Sequence, residues 1–530
     1  MIIKKIRTIF SVVLTEAGFE EISPDKLAIE IPKNPELGDY AVGCQSMAKS
    51  LKKSPLEIAQ KLAEKINEKK DFIKAVASAS GFINLKLTNN FLKALLEEIL
   101  AKKDQYGRLN YSKDFKVNIE FISANPTGPL TIGNGRGGFC GDALANIFAA
   151  SGSKVEREYY INDRGVQINA LGHSVLKDHQ AVYKGEYIDK LNKLVKNDKL
   201  SASEVGQWAA KEILENSIKK TLKKVGIKIN KYFSEYSLYA NREVEKILKL
   251  LEDKKYVLTH DGAVWFKSDK TVDEKDRVLK KQNGEFTYFA SDISYHADKI
   301  RRGYDLCINF WGADHAGYVP RIESAINDIL KKELNWSGQF KVIIFQLVKL
   351  IKDGQEFRMS KRAGNAVYLD DLLKEVSVDA ARFFFLMHSY NSHMNFDLDL
   401  AKRESKENPV YYVQYAHARI HSILVKSQAV SHRPLVNLAL LTHPAELKLI
   451  KTLIKLPDLI EEIVTNYQVH KLPFYSLEIA DAFHNFYENC LVIDKNNNAL
   501  TSARIELCQA TKIVLKNTLS LMGISAPNKM

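Results

Sequence analysis

Cysteine is scarce in this 530-residue chain, and the five cysteines lie far apart. They occupy positions 44, 140, 307, 490 and 508, and no two of them form a Cys-x-x-Cys pair. The sequence therefore supports neither a zinc site nor a disulfide framework. Such sparse usage agrees with a reducing compartment, and we expect a cytoplasmic protein.

Long apolar runs are also absent. No run reaches eighteen apolar residues, so no membrane span is predicted. The N-terminus superficially resembles a signal peptide, because Lys4 and Lys5 precede an apolar stretch at residues 6–14. It lacks a small-residue cleavage site and continues into Thr15-Glu16-Ala17-Gly18, which predicts an N-terminal helix instead.

Acidic residues are outnumbered, since 77 Lys and Arg stand against 64 Asp and Glu and give a net charge of +13. Such an excess favours a polyanionic partner, because phosphate contacts release counterions. A lysine-rich surface that only keeps the protein soluble explains the same excess, so charge alone leaves both interpretations open. The length predicts two to four domains.

The periodicity of the chain divides it into three parts. Residues 1–110 mix helical and strand-like patterns and predict a small α/β domain. Residues 111–371 contain strand-like runs at 116–121, 154–160, 306–311 and 341–347, which predict a doubly wound, mainly parallel, Rossmann-like sheet. Within this part, residues 166–260 are polar and helical and predict a connecting insertion. Residues 372–530 carry helical periodicity alone and predict an all-helical domain.

A glycine-rich stretch follows the first predicted strand of the central part. Residues 125–138 read Asn-Pro-Thr-Gly-Pro-Leu-Thr-Ile-Gly-Asn-Gly-Arg-Gly-Gly. A strand, a tight loop and a helix in this order point backbone N–H groups toward an anion. Glycine also lets a phosphate approach the backbone closely. By itself the stretch predicts a phosphate site and leaves the class of enzyme open.

A second stretch is basic and reads Arg358-Met359-Ser360-Lys361-Arg362. Three cations in five residues, beside a glycine, suit a loop that clamps phosphates. Such a loop compensates the charge that develops on a leaving pyrophosphate. A solvated basic turn is the alternative interpretation.

A third stretch combines acidic and aromatic residues. Tyr288 and Asp292 are four positions apart, so they share one face if the segment is helical. A carboxylate beside an aromatic ring suits a guanidinium or ammonium group. Glu120, at the end of the strand before the glycine loop, is a second candidate carboxylate. A surface ion pair is the alternative interpretation for each acid. The stretch leads on to Asp314 and His315, and for His315 the alternative is a hydrogen-bonded core histidine.

Together these stretches resemble the arginyl-tRNA synthetases, which are class I aminoacyl-tRNA synthetases. Residues 124–134 are similar to the first nucleotide signature of the family, and residues 358–362 to the second. Residues 261–266, 289–293, 311–315 and 408–419 are similar to segments of arginine-specific members. Residues 38–40 and 81–84 resemble the N-terminal tRNA-binding addition. The resemblance covers nearly the whole chain.

This resemblance implies the two-step charging of tRNA(Arg). ATP, with Mg²⁺ as part of the substrate complex, activates L-arginine, and the arginyl group then moves to the 3′ end of the tRNA. No protein metal site and no editing domain are expected, and a monomer is. As in the family, adenylate formation is expected to depend on tRNA.

The resemblance also assigns residues to roles. The catalytic set is Thr131, Asn134, Arg358 and Lys361, and the ATP-binding set is Gly133, Gly135, Arg136, Asp314, His315 and Ser360. The arginine-binding set is Glu120, Asn125, Tyr288 and Asp292, and the tRNA-binding set is Tyr411, Gln414 and Tyr415.

Two departures from the family pattern affect catalysis. Thr131 and Asn134 replace both histidines of the first signature, and Arg358 replaces a lysine of the second. Neutral side chains cannot carry positive charge, so activation is slower or Arg136, Lys361 and Mg²⁺ carry more of the charge. A catalytically weakened tRNA-binding protein is therefore one alternative. A dinucleotide-dependent oxidoreductase is the other, although the glycine spacing does not fit its fingerprint.

Overall fold

A computed structural model describes residues 2–69, 72–110, 112–195, 200–267, 275–357, 367–428 and 436–530 of the protein. Its strands are β1 (Ile29–Glu30), β2 (Tyr40–Gly43), β3 (Ile73–Ala77), β4 (Phe82–Leu87), β5 (Lys116–Glu120), β6 (Lys154–Ile161), β7 (Lys231–Ser234), β8 (Val257–His260), β9 (Ala263–Phe266), β10 (Arg277–Lys280), β11 (Leu306–Gly312), β12 (Gln339–Phe345), β13 (Val348–Lys352), β14 (Gln355–Glu356) and β15 (Met394–Asp397).

The α-helices are interspersed with these strands up to β15 and follow one another after it. They are α1 (Ile2–Glu16), α2 (Gln45–Leu51), α3 (Pro55–Glu68), α4 (Asn89–Lys102), α5 (Ile132–Ala150), α6 (Val166–Leu176), α7 (Glu186–Leu194), α8 (Ala202–Ile213), α9 (Lys219–Lys224), α10 (Glu235–Ala240), α11 (Glu243–Asp253), α12 (Tyr288–Arg301), α13 (Val319–Ser324), α14 (Lys331–Glu333), α15 (Leu369–Glu375), α16 (Val378–Met387), α17 (Leu398–Lys402), α18 (Pro409–Ser427), α19 (Pro444–Leu453), α20 (Leu456–Asn466), α21 (Lys471–Asn489) and α22 (Asn498–Leu521).

The central sheet is parallel and has the order β12-β11-β5-β6-β7. Numbered by their order in the chain, its strands lie as 3-2-1-4-5 across the sheet, the doubly wound Rossmann arrangement. In such sheets ligands bind at the carboxyl ends of the strands where the order reverses, here between β5 and β11. The predicted α/β fold class is confirmed.

One strand of this sheet was not predicted. β7 lies inside residues 166–260, which were predicted to be a helical insertion, and it pairs in parallel with β6 from Glu158 to Ile161. Four residues are too few to produce a clear alternating pattern. The strand therefore depends on the exposed edge of β6 for its hydrogen bonds.

The glycines of α5 allow this helix to lie close to the elements around it. A Cβ atom on Gly141 would come within 2.4 Å of Phe121, and one on Gly137 within 2.7 Å of Phe345. A Cβ atom on Gly135 would come within 2.9 Å of Leu369. These three glycines therefore serve helix packing.

The flanking parts also have defined architectures. An antiparallel sheet of order β1-β2-β4-β3 forms the N-terminal part, with α3 against the sheet and α1 packed on α3. Helices α18, α19, α21 and α22 pack on one another in the C-terminal part, and α20 packs against α5. Their starts are encoded locally: the Asn408 side chain caps α18 and accepts from the Val410 N–H, and Pro409 fits the first turn.

The C-terminal part contains one strand that was not expected. The sequence predicts only helices beyond residue 371, but β15 lies there and pairs in parallel with β13. Met394 and Phe396 are buried and alternate with more exposed neighbours, so the pattern is strand-like but only four residues long. In the described part of the chain, no helix is long and apolar enough to cross a membrane.

Candidate active site

A cavity of about 1170 Å³ opens at the carboxyl edge of the central sheet, next to β5 and β11. Its walls are the loop after β5, the start of α5, one face of α12, the end of β11 and residues 345–350. Nine of the residues predicted from the sequence line it: Glu120, Asn125, Thr131, Gly133, Asn134, Tyr288, Asp292, Asp314 and His315. The structure thus brings together residues from both halves of the sheet.

Thr131 and Asn134 form a reciprocal capping box at the start of α5. Both the N–H and the hydroxyl of Thr131 donate to Asn134 Oδ1, each over 2.9 Å, and the Asn134 N–H donates to Thr131 Oγ1 over 3.3 Å. The Thr131 hydroxyl proton is therefore already used inside the protein. The hydrogen bonds between the two residues do not use Asn134 Nδ2, which can therefore donate to another acceptor. Of the two predicted catalytic side chains, Asn134 is therefore the one that can still donate to a phosphate.

Asp292 is a half-buried carboxyl group on the cavity face of α12. Tyr318 Oη donates to its Oδ2 over 2.6 Å. Burial raises the pKa of Asp292, the Tyr318 hydrogen bond lowers it and the nearby Glu235 and Glu120 raise it, and together these effects place it at about 7. Tyr288 lies one turn earlier on the same helix and is 55% exposed at the cavity. The predicted helical face of Tyr288 and Asp292 is thus present.

Glu235 is a cavity residue that sequence reasoning missed. It is the first residue of α10, directly after β7, and is only 2% exposed. Burial raises its pKa to about 7, although the Arg164 charge lowers it. With its amide nitrogen turned toward the carboxyl, Asn162 donates to Glu235 Oε2 over 2.8 Å. Only the pairing of β7 with β6 brings this residue to the cavity, so no local motif marks it.

Glu120 has a different environment from the one expected. Its Oε2 accepts from Lys299 Nζ over 2.6 Å and from Tyr295 Oη over 3.0 Å. The side chains of Lys299 and Glu120 are 1% and 6% exposed. The Glu120 charge is thus compensated by a buried lysine. Glu120 and Asp292 both line the cavity, as predicted, but Glu120 differs from Asp292 in being paired with a buried cation.

A neutral histidine lies beneath the acidic residues. Its Nδ1 hydrogen-bonds the main-chain oxygen of Asp292 over 2.7 Å, and Asn309 Nδ2 lies 3.0 Å from its Nε2. This residue, His296, is buried, and burial holds its pKa well below the usual value, followed by the charge of Lys299. A donor at Nδ1 and an acceptor at Nε2 fit the neutral tautomer.

The remaining cavity residues are more open to solvent. Asn125 is exposed, and its Nδ2 donates to Gln167 Oε1 over 2.6 Å. Asp314 and His315 follow the end of β11 and are exposed, with 3.4 Å between Asp314 Oδ2 and His315 Nε2. All three side chains can move to meet a ligand without breaking a buried contact. No group of three or more His, Cys, Asp or Glu side chains in the described residues is arranged to hold a metal ion.

Two predicted ATP-binding residues lie outside the cavity. Arg136 is 0% exposed, and its guanidinium donates to main-chain carbonyl groups rather than facing open space. Gly135 is buried against Leu369. Both therefore depart from the sequence expectation, because both are buried and neither lines the cavity. Arg358, Ser360 and Lys361 lie outside the described residues.

The three predicted tRNA-binding residues lie on α18, away from this cavity. The rings of Tyr411 and Tyr415 are parallel, with centroids 6.3 Å apart, and Arg419 lies over the Tyr415 ring at 4.8 Å. Gln414 faces inward, and its Nε2 donates to Asp379 Oδ2 over 2.8 Å and to the Ser525 carbonyl over 3.0 Å. The expectation that Gln414 contacts a base is therefore corrected.

Comparison with known protein families gives three consecutive matches. Residues 4–87 match the arginyl-tRNA synthetase N-terminal domain, and residues 95–388 match the catalytic domain of class I (R) tRNA synthetases. Residues 413–530 match the DALR anticodon-binding domain. The matched catalytic region contains the central sheet and the cavity.

Individual proteins agree with these matches. The chain is 42% identical to the arginine–tRNA ligase of Carboxydothermus hydrogenoformans, over 97% of this chain and 96% of that one. It is 40% identical to the arginine–tRNA ligase of Listeria monocytogenes serotype 4a, over 100% and 99% of the two chains. The structure of Thermus thermophilus arginyl-tRNA synthetase shares the fold, with a TM-score of 0.81 and 22% identity over the whole of both chains. The chain therefore belongs to the arginyl-tRNA synthetase family of class I arginine–tRNA ligases.

Proposed function

We propose that the cavity activates arginine with the substrate guanidinium held between Asp292 and Glu235 and with ATP along the start of α5. One observation supports this arrangement most strongly. Two buried or half-buried carboxyl groups face one cavity, have neutral hydrogen-bond donors in Tyr318 and Asn162, and have pKa values raised to about 7. Such groups gain from a cation that enters between them.

The chemistry of arginine suits this pair. A guanidinium is planar, carries its charge at every physiological pH, and donates from several N–H groups to carboxylates in a fixed fork. Its entry favours the ionised form of both acids. Tyr288 at the edge of the cavity offers a ring face to the cation. An uncharged analogue leaves two carboxylates unpaired, so it is rejected strongly and no editing step is needed.

The nucleotide lies at the other end of the cavity in this proposal. The Asn134 Nδ2 group and the positive end of α5 face the phosphates, and Asp314 and His315 border the same side. Mg²⁺ enters as part of the ATP complex. By resemblance to the family, Lys361 and Arg358 compensate the charge of the pyrophosphate. A hydrogen bond from the neutral Asn134 amide to a charged phosphate contributes about 1.5–3 kcal/mol.

The reaction then follows from positioning. An oxygen of the arginine carboxylate attacks the α-phosphorus of ATP, the bond to pyrophosphate breaks, and arginyl-adenylate forms. The terminal ribose hydroxyl of tRNA attacks the activated carbonyl, and AMP leaves. Placing these groups in line and stabilising charge provide most of the catalysis, as in other phosphoryl transfers.

The three parts of the chain divide the work. Residues 1–110 dock on the tRNA, residues 111–371 carry the chemistry with a connecting insertion at 166–260, and residues 372–530 bind the anticodon. The parallel rings of Tyr411 and Tyr415, with the Arg419 cation beside them, suit unstacked bases. We propose a monomer that acts in the cytoplasm.

The test is ATP–pyrophosphate exchange in the presence of tRNA(Arg), with arginine, citrulline or ornithine as the amino acid. Citrulline keeps the shape of arginine but lacks its charge. Exchange should require arginine and fall to background with both analogues. Comparable exchange with citrulline would remove the carboxylate pair from recognition. Absence of exchange with arginine would favour the tRNA-binding protein without catalysis.

A further inference from the structure

Arg136 is a buried arginine without an acidic partner among the described residues. It lies in the first turns of α5, two positions after Asn134, and its side chain is completely enclosed. A charge without a counterion is costly to bury. Burial accordingly lowers the pKa of Arg136, although a guanidinium keeps its proton. An arginine buried at this cost is expected to make specific hydrogen bonds through its guanidinium N–H groups.

Those donors join two separate backbone segments. Arg136 Nη1 donates to the carbonyl of Gln346 over 2.8 Å and lies 3.4 Å from that of Leu347. Its Nη2 donates to the carbonyls of Ser389 and Ser392, each over 2.8 Å. A planar fork with several donors can reach both segments at once, which an ammonium group cannot do.

The first segment belongs to the cavity wall. Residues 346 and 347 connect β12 to β13, and the cavity is lined by every residue from 345 to 350. Another wall of the cavity is the capped loop at Thr131 and Asn134. Arg136 follows that loop directly, so its guanidinium fixes the distance between the two walls.

The second segment directly follows the matched catalytic region, which ends at residue 388. Residues 389–392 lie between α16 and β15, and β15 pairs with β13. The two segments also bond each other, since the Gln346 N–H donates to the Tyr390 carbonyl over 2.9 Å. Residues 346–347 and 389–392 thus form a backbone crossing, in which the two segments bond each other and both bond Arg136. Arg136 therefore links this crossing to the start of α5, at the proposed nucleotide end of the cavity.

We propose that Arg136 is a positioning residue for arginyl-adenylate formation. It keeps the wall at residues 346–350 and the turn at residues 389–392 in register with the loop that carries Asn134, and it does not contact ATP. This inference rests on the arginine-activating reaction proposed above. A displacement of about 1 Å at such a site lowers the rate by about 100-fold. The proposed arginine pocket lies on α10 and α12, and the Arg136 guanidinium bonds to neither helix.

The experiment compares Arg136→Lys and Arg136→Met with the wild type. Arg504→Met is the matched control, because Arg504 is a largely buried arginine of the helical part that donates to Glu446 over 2.7 Å and to the Leu491 carbonyl over 2.9 Å. ATP–pyrophosphate exchange with tRNA(Arg) gives kcat and KM for both substrates. Thermal unfolding is measured for every variant.

We expect kcat to fall at least tenfold in Arg136→Met and by a smaller factor in Arg136→Lys, with KM for arginine within twofold of the wild type. Arg504→Met should lose thermal stability but keep its kcat. Arg136→Lys decides the question if Arg136→Met does not fold. A folded Arg136→Lys variant with unchanged kcat and unchanged KM for ATP would reduce Arg136 to a purely structural role. Absence of exchange in the wild type would refute the proposed function instead.

Discussion

Replacing Asp292 by asparagine tests the substrate pocket with the smallest change in shape. The amide keeps an oxygen that accepts the Tyr318 hydroxyl, which lies 2.6 Å from Oδ2, so the fold of α12 is retained. The change removes the negative charge of a carboxyl group whose pKa is raised to about 7. A carboxyl with a raised pKa destabilises the folded protein when it is ionised, so the variant should unfold at the same temperature or higher at pH 8.

The expected size of the effect follows from the bond that is lost. A hydrogen bond to a charged group contributes about 1.5–3 kcal/mol, and each 1.4 kcal/mol corresponds to a factor of about ten. KM for arginine should therefore rise by about 10- to 150-fold. Because the proposed ATP site is at the other end of the cavity, KM for ATP should change little.

The assay is ATP–pyrophosphate exchange with tRNA(Arg) at varied arginine and ATP. Asp298→Asn is the matched control, since it makes the same change on the same helix at a residue that pairs with Arg302 over 2.9 Å and does not line the cavity. An unchanged KM for arginine in Asp292→Asn would refute the role of this carboxylate. So would an equal rise of KM in the control.

Three further predictions concern the same cavity. The ratio kcat/KM for arginine should fall as the pH drops through about 7, because Asp292 and Glu235 gain protons there and lose the charge that holds a guanidinium; a flat profile from pH 6 to 8 would contradict it. Asn134→Ala should lower kcat/KM for ATP by about 10- to 150-fold, the factor for a hydrogen bond to a charged phosphate. Thr131→Ser keeps the capping hydroxyl, so its kcat/KM for ATP should stay within about threefold of the wild type. Equal losses in the two variants would contradict these different roles. Lys299→Met should cost about 3–5 kcal/mol in urea unfolding, because it leaves Glu120 buried and unpaired, and adding Glu120→Gln should restore much of it; a fully stable Lys299→Met protein would disprove the buried pair.

The sequence predicted the site best where the chemistry is local. The loop at residues 125–138 follows a strand with a clear alternating pattern, and Tyr288 and Asp292 share a helical spacing, so both could be placed without coordinates. The four long strands of the parallel sheet were predicted for the same reason. Each of these strands is long enough for the sequence to show a strand-like pattern of apolar residues.

The rest depends on contacts between distant parts of the chain. Glu235 reaches the cavity only because the short strand β7 pairs with β6. Lys299 neutralises Glu120 from 179 positions away, and no motif announces the pair. Arg136 lies in a glycine-rich signature and carries a charge, so a phosphate contact was the natural expectation. Its burial follows from the crossing of two segments more than 200 positions further along the chain.

A crystal structure of the protein with bound L-arginine tests the central claim most directly. The guanidinium nitrogens should lie 2.7–3.2 Å from the carboxylate oxygens of both Asp292 and Glu235, the usual range of N–H···O bonds. Glu120 should keep its bond to Lys299. A guanidinium bound to Glu120, or one that contacts neither Asp292 nor Glu235, would contradict the assignment of this pair as the arginine-reading carboxylates.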